Sequence, residues 1–140
     1  MNDIINKLTE AQKLAMSIRH QSGGFSMLAE VLRQAGALIN RWSLPACQSI
    51  YLMHNNEAIV QQGTPLITGN YLIPKLNQEA LILAIRKDQA GHSTFPEFLQ
   101  ASWKAGIIGY DVDLTAREVR YYGVYGESYV EEYTAVTIEI

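Results

Sequence analysis

The hydrophobic pattern of the C-terminal third changes from the period of a helix to that of a strand. Apolar residues first recur at helical spacing, at Phe95, Phe98 and Leu99. Gly106 then stands where a left-handed residue would end such a helix. Alternation with period two follows, and it predicts a strand whose inward face is formed by Ile108, Tyr110, Val112 and Leu114. Two further short segments, separated by turn residues, complete a predicted helix and three-stranded antiparallel meander.

A similar pattern lies seventy residues earlier. Shifting the chain by 70 places Phe25 on Phe95 and Gly36 on Gly106, and it gives 9 identities in the 46 ungapped pairs that follow. Chance would give about three, at roughly one match in fifteen. The inward strand face is repeated by Leu38, Asn40, Trp42 and Leu44. We interpret this as an internal duplication; the alternative is that two helix–hairpin units look alike by convergence.

The two copies predict an α+β fold in a single domain, residues 1–140. Each half, at about 1–65 and 76–140, is expected to contain two helices and three strands, with residues 66–75 as a packed connector. The helix predicted from Gln78 is apolar nearly all round at its start, which favours deep burial. Paired about a pseudo-twofold axis, the internally duplicated halves should form one antiparallel sheet with helices on one face.

Composition and charge exclude several classes of protein. The chain has a net charge of −3 and a pI of about 5.6, which disfavours a general nucleic-acid binder. The lone Cys47 excludes an intramolecular disulfide and favours the cytoplasm. The start of the chain does not have the pattern of a signal peptide, and the apolar run at residues 80–85 is far shorter than the roughly 20 residues of a membrane span.

The common catalytic and cofactor motifs are missing from the sequence. It has no phosphate loop, dinucleotide fingerprint, zinc-like Cys/His spacing or Gly-x-Ser-x-Gly. We therefore assign no catalytic residue, cofactor or metal ligand from the sequence.

Aromatic and acidic residues are concentrated in the C-terminal meander. Six of the eight tyrosines lie between Tyr110 and Tyr133, and tyrosine favours both strands and interfaces. Asp111 and Asp113 share a strand face, where two carboxylates can serve acid–base chemistry or stay solvated. The candidate binding surface consists of Trp103, Tyr110, Asp111, Asp113, Tyr121, Tyr122, Tyr125, Tyr129 and Glu131. The structural alternative is that these side chains only support the sheet.

The same region resembles a known family. The resemblance rests on Phe98, Trp103, Gly106, Tyr110, Val112, Tyr121, Tyr122, Gly123, Gly126, Glu127, Tyr129, Glu132 and Tyr133. This pattern is similar to that of small bacterial and prophage-encoded proteins of unknown function, often called phage envelope proteins. The resemblance implies no catalytic residues and no mechanism.

Three functions agree with these patterns. The favoured one is a non-enzymatic binding protein that holds a small ligand in the cleft between the halves, or a protein partner on the tyrosine-rich acidic meander. An enzyme would require Asp111, Asp113, Glu131 and His54 to converge in one concave site. A self-association module, forming a homodimer, would pair through the edge strands of the open sheet.

Overall fold

A computed structural model describes residues 3–18 and 24–134 of the chain. Its elements follow the predicted order of two helices and three strands, repeated once. They are α1 (Asp3–Ile18), α2 (Gly24–Gln34), β1 (Ala37–Ser43), β2 (Gln48–Met53), β3 (Ala58–Gln62), α3 (Gln78–Gln89), α4 (Phe95–Lys104), β4 (Ile107–Asp113), β5 (Glu118–Gly123) and β6 (Ser128–Glu132). Within the described residues, no helix is long and apolar enough to cross a membrane.

The strands form one antiparallel sheet in the order β3-β2-β1-β4-β5-β6, which confirms the α+β prediction. The two halves join at its centre, where β1 pairs with β4. In this pair Arg41 lies directly opposite Asp111, its equivalent at a shift of 70. The helices cover one face of the sheet, and the other face is open. The pseudo-twofold axis therefore passes between Arg41 and Asp111.

The equivalence of the halves extends to details of the backbone. Each strand of the second half begins and ends 70 residues after its counterpart. Left-handed φ angles recur at the same shift, in the pairs Gly36 and Gly106, Cys47 and Arg117, and Asn56 and Gly126. Conserved turn geometry of this kind is expected of two copies of one unit, so the structure agrees with an internal duplication.

A bulge interrupts the alternation near the start of both central strands. The pairing register shifts between Ala37 and Ile39 in β1, and at the equivalent place in β4. The extra residue turns the side chains before it to the other face. The inward position predicted for Leu38 is therefore wrong, since this side chain is exposed. In β4 it is Ile107 that is fully buried, whereas Ile108 is only partly buried.

The helices of the second half begin at well-formed caps. Thr94 and Glu97 form a reciprocal capping box at α4, and Asn77 caps α3 by accepting from the Ala80 amide. The deep burial predicted for α3 is wrong on one side, where Leu83 is 72% exposed. The helix lies in the outer layer, so only the side that meets the sheet and α4 is covered.

The connector between β3 and α3 crosses one end of the sheet. The Leu66 amide donates to the carbonyl of Pro45, and the Leu76 amide donates to the Glu127 carboxylate. The Tyr71 ring lies 5.0 Å from that of Trp103, measured between centroids. The connector is thus attached to both halves.

Candidate functional site

A cavity of about 380 Å³ lies between the helices and the central strands. Both halves line it with equivalent positions, which places it across the pseudo-twofold axis. The lining pairs are Phe25 and Phe95, Leu28 and Phe98, Asn40 and Tyr110, Trp42 and Val112, Tyr51 and Tyr121, and Gln61 and Glu131.

The layout of the helices explains the cavity. Each helix packs mainly on the other helix of its own half, α1 on α2 and α3 on α4. The two pairs thus stand apart over the middle of the sheet. Phe95 and Phe98 are one helical turn apart and face this gap from α4, while period-two alternation brings Asn40 and Trp42 into it from β1. The repeat of one amphipathic pattern therefore builds a hollow with two similar walls.

The wall of the cavity is mainly aromatic. The Trp42 ring lies edge-on to Phe95 at 5.0 Å and stacks with Tyr110 at 6.3 Å, both between centroids. Tyr110 continues the series to Tyr121 at 5.5 Å. Aromatic pairs in this range of distances attract one another, so the rings of the wall hold one another in place.

The first half contributes neutral polar groups. The amides of Gln12 and Gln61 bond reciprocally, at 2.6 Å and 3.0 Å between nitrogen and oxygen. The Trp42 indole N–H donates to Asn40 Oδ1 at 2.7 Å. Burial raises the pKa of Tyr51, although hydrogen bonds with Gln12 and Ser49 work in the other direction. This end of the cavity is thus polar but uncharged.

The second half contributes charge. Arg86 donates to both oxygens of Glu131, at 2.8 Å and 2.7 Å, and the Tyr129 hydroxyl donates to the same carboxylate at 2.7 Å. Burial acts to raise the pKa of Glu131, but these hydrogen bonds outweigh it and the pKa is lowered. Burial, and then the negative charges of Glu131 and Asp88, raise the pKa of Tyr121. At neutral pH Glu131 is therefore ionised and the Tyr121 hydroxyl is protonated.

Three of the nine residues of the candidate binding surface line the cavity: Tyr110, Tyr121 and Glu131. Tyr129 does not line the cavity itself but contacts two residues that do, through its bond to Glu131 and its ring contact with Tyr121 at 6.4 Å. The other five lie elsewhere. Trp103 is buried against the connector, and Tyr125 is exposed in the turn before β6. On the open face, Asp111 pairs with Arg41 and Tyr122 is half-buried, whereas Asp113 accepts from backbone amides in the turn after β4.

The carboxylates and the histidine named for an enzyme do not converge. Asp111 lies on the open face of the sheet, whereas Glu131 lies on the helical face. The exposed His54 lies beside Gly36, near the start of β1. Across residues 3–18 and 24–134, no three His, Cys, Asp or Glu side chains are grouped as metal ligands would be. These groups therefore form no shared acid–base centre.

Sequence reasoning missed the contributions of the first half. Trp42 was expected on the inward face of the first strand but was not assigned to a site, and neither Phe25 nor Leu28 was assigned to one. Gln12 and Gln61 gave no signal, since lone glutamines are ordinary surface residues. The repeat itself was the usable signal, because Phe25 falls on Phe95 and Gln61 on Glu131.

The chain has clear relatives among uncharacterised proteins. Residues 46–132 match a family described as protein of unknown function (DUF1398). Uncharacterised proteins of Mycobacterium bovis and Mycobacterium tuberculosis are 43% identical over 136 residues, which is 97% of this chain and 82% of each relative. The expected resemblance to a family of unknown function is confirmed, while the phage label stays a prediction.

Proposed function

We propose that this chain, which belongs to the DUF1398 family of proteins of unknown function, is a non-enzymatic protein that binds a small molecule in its central cavity. The observation that carries the proposal is the 380 Å³ hollow between the two helix pairs, lined by equivalent residues of both halves. Small-molecule sites typically span about 300–1,000 Å³ and occur between structural units.

The lining supports a binding role over a catalytic one. Rings and aliphatic side chains form most of the wall, and several of its polar groups have partners within the chain, as in the Gln12–Gln61 and Trp42–Asn40 bonds. A wall of fixed rings with a few placed polar groups suits shape-selective binding. Hydrolytic or proton-transfer chemistry requires an acid and a base that converge on one point, and the candidate residues do not form such a pair.

A cavity-filling substitution tests the proposal. Val112 lines the cavity, and its equivalent in the first half is Trp42, so a larger ring can be tested at this position. We expect Val112→Phe to weaken binding of the neutral dye Nile red at least tenfold, measured by its fluorescence. The matched control is Val60→Phe, on the open face, where Val60 is 57% exposed. Circular dichroism checks that both variants stay folded. Equal affinity of Val112→Phe and the unsubstituted protein would refute the proposal.

Native mass spectrometry of the gently purified protein provides an independent test. Additional mass that leaves on mild activation would indicate a retained ligand and allow its identification. We expect that mass to be absent from Val112→Phe and present in Val60→Phe.

Self-association is a second candidate, and the open face of the sheet favours it. Leu38, Val60 and Val130 are exposed on the strands that form the sheet. An uncovered sheet with apolar positions can pair with a second copy. Sedimentation equilibrium over a range of concentrations tests this candidate, and a monomer at every concentration would exclude it.

A further inference from the structure

The hydroxyl of Tyr121 has no hydrogen-bond partner among residues 3–18 and 24–134. Only 6% of this residue is exposed, and it lines the cavity. Its ring packs on Tyr110 at 5.5 Å and on Tyr129 at 6.4 Å, both between centroids. Because buried hydroxyl groups nearly always have a partner, an unpaired one at a cavity wall points to a bond with a guest.

This hydroxyl opens into the cavity. Within the described residues, the side-chain polar atoms that are both sealed from solvent and unpartnered are Ser102 Oγ and Trp103 Nε1. The Tyr121 oxygen also lacks a partner but is not sealed, so it is reached from the cavity that its residue lines. Burial raises the pKa of Tyr121, and the hydroxyl therefore keeps its proton at neutral pH. The cavity thus presents a neutral O–H donor.

The equivalent tyrosine of the first half differs in this respect. The Tyr51 hydroxyl forms hydrogen bonds with Gln12 and Ser49. At a shift of 70, Ser49 falls on Val119, and the counterpart of Gln12 is an apolar residue of α3. The second half therefore has the phenol without either of the two partners that the first half provides.

The charges around the cavity favour a neutral guest. No lysine, arginine or histidine of the described residues lines it, so a buried anion would lack a paired cation. The Glu131 carboxylate is already bonded by Arg86 and by the Tyr129 hydroxyl, and Asp88 accepts from the Ser93 hydroxyl. A cationic guest would have to compete with these bonds, whereas a neutral guest would leave them intact.

We infer that the ligand of this cavity is a neutral, largely apolar molecule with a carbonyl-type oxygen that accepts a hydrogen bond from the Tyr121 hydroxyl. Its apolar body would pack on the neighbouring rings of Tyr110 and Phe98. A guest with an acceptor keeps the bond that water would otherwise make to this donor, and a guest without one loses it. This inference rests on the proposed function, because it names the class of ligand for that same cavity.

Three probes with one ring system test the inference. They are methyl 2-naphthyl ketone, 2-isopropenylnaphthalene, in which a CH2 group replaces the carbonyl oxygen, and 2-naphthoate. Equilibrium dialysis gives the affinity of each. We expect the anionic naphthoate to bind at least about tenfold more weakly than the ketone. Equal or tighter binding of the naphthoate would overturn the inference of a neutral ligand.

Tyr121→Phe removes the donor and keeps the ring. We expect it to weaken binding of the ketone about fivefold and to change binding of the alkene by less than about twofold. The matched control is Tyr51→Phe, which removes a cavity hydroxyl that is already bonded within the chain, so the ratio of ketone to alkene affinity should not change. A ratio in Tyr121→Phe equal to that of the unsubstituted protein would overturn the inference.

Val119→Ser is an independent second variant. It gives Tyr121 the internal partner that Ser49 provides to Tyr51 in the first half. We expect the new bond to compete with the guest and to lower the ratio of ketone to alkene affinity about threefold. Circular dichroism checks that each variant is folded. An unchanged ratio in folded Val119→Ser would count against the inference.

The two proposals can fail separately. If the probes bind in a Val112-dependent way but the ketone does not depend on Tyr121, the cavity is a ligand site and only the acceptor inference is overturned. If Nile red alone binds, its own ring carbonyl serves as the acceptor, and equal affinity in Tyr121→Phe overturns the inference. If neither Nile red nor any of the three probes binds, both proposals are overturned.

Discussion

Replacing Gly36 or Gly106 by alanine should have unequal effects, although the two residues occupy equivalent positions in the two halves. Both have left-handed backbones, with φ of +103° and +90°. A Cβ at Gly106 would lie 2.7 Å from the carbonyl oxygen of Lys75 and 2.8 Å from that of Pro74. A Cβ at Gly36 would instead overlap the ring of His54, an exposed side chain that can turn away. Gly36→Ala is thus the matched control for Gly106→Ala.

The expected free energies follow from these neighbours. The left-handed backbone should cost either alanine variant about 1–2 kcal/mol. Gly106→Ala must also displace the connector backbone, and overpacking of this kind costs about 1–3 kcal/mol more. We therefore expect Gly106→Ala to lose roughly 2 kcal/mol more than Gly36→Ala.

Urea unfolding, with linear extrapolation of the free energy of unfolding to water, measures the difference. Combining Gly36→Ala with His54→Ala removes the ring and should leave only the backbone cost. No comparable side-chain truncation can rescue Gly106→Ala, because the obstructing atoms belong to the main chain. Losses that agree within about 0.5 kcal/mol would refute the reasoning.

A helix cap and a buried carboxylate give two further expectations. Thr94→Ala removes the hydroxyl that accepts from the first turn of α4 and should lower the unfolding free energy by about 1 kcal/mol, with the exposed Thr68→Ala as control. Hydrogen bonds from Arg33 lower the pKa of Glu30 from 4.5 to about 2. Because this pKa is depressed, the stabilisation is present above pH 4.5 and disappears as the pH falls toward 2. Glu30→Gln should thus lower the free energy of unfolding by about 1–2 kcal/mol at pH 7, allowing for solvent screening at Arg33, and by progressively less in acid. A difference in unfolding free energy between the variant and the unsubstituted protein that does not change with pH would contradict this.

Much of the fold could be predicted because the hydrophobic periodicity and the internal repeat indicated the same helices and strands. Helical spacing and a terminal glycine together predict α4, and the shift of 70 transfers that interpretation to the weaker first half. Leu38 shows the limit of this reasoning. A bulge adds one residue without any change in hydrophobicity, so alternation alone assigns the side chain to the wrong face. Leu83 shows another limit, since an apolar segment does not reveal how much of a helix its neighbours cover.

The site was less accessible to sequence reasoning. Tyr121 and Tyr122 are adjacent in the chain and chemically identical, yet one lines the cavity and the other lies on the open face. Both were assigned to the candidate binding surface because tyrosines are concentrated in this region, but neighbouring residues of a strand point to opposite faces of the sheet. The cavity itself depends on the separation of the two helix pairs, which is a tertiary distance. No local pattern around Gln12 or Gln61 encodes that distance.

Because of the ion pair between Arg41 and Asp111, the two halves of the chain are not interchangeable. Its bonds, 2.8 Å from Arg41 Nε and 3.2 Å from Nη2 to the two carboxylate oxygens, join a residue to its own counterpart. If either half associated with an identical half in this arrangement, arginine would face arginine, or aspartate would face aspartate, and like charges directly opposite on a sheet repel. Covalent fusion removes that conflict, since the two positions can then diverge to opposite charge. The charges at the pairing of β1 with β4 are therefore complementary in the fused chain, whereas two identical halves paired in the same way would place like charges opposite each other.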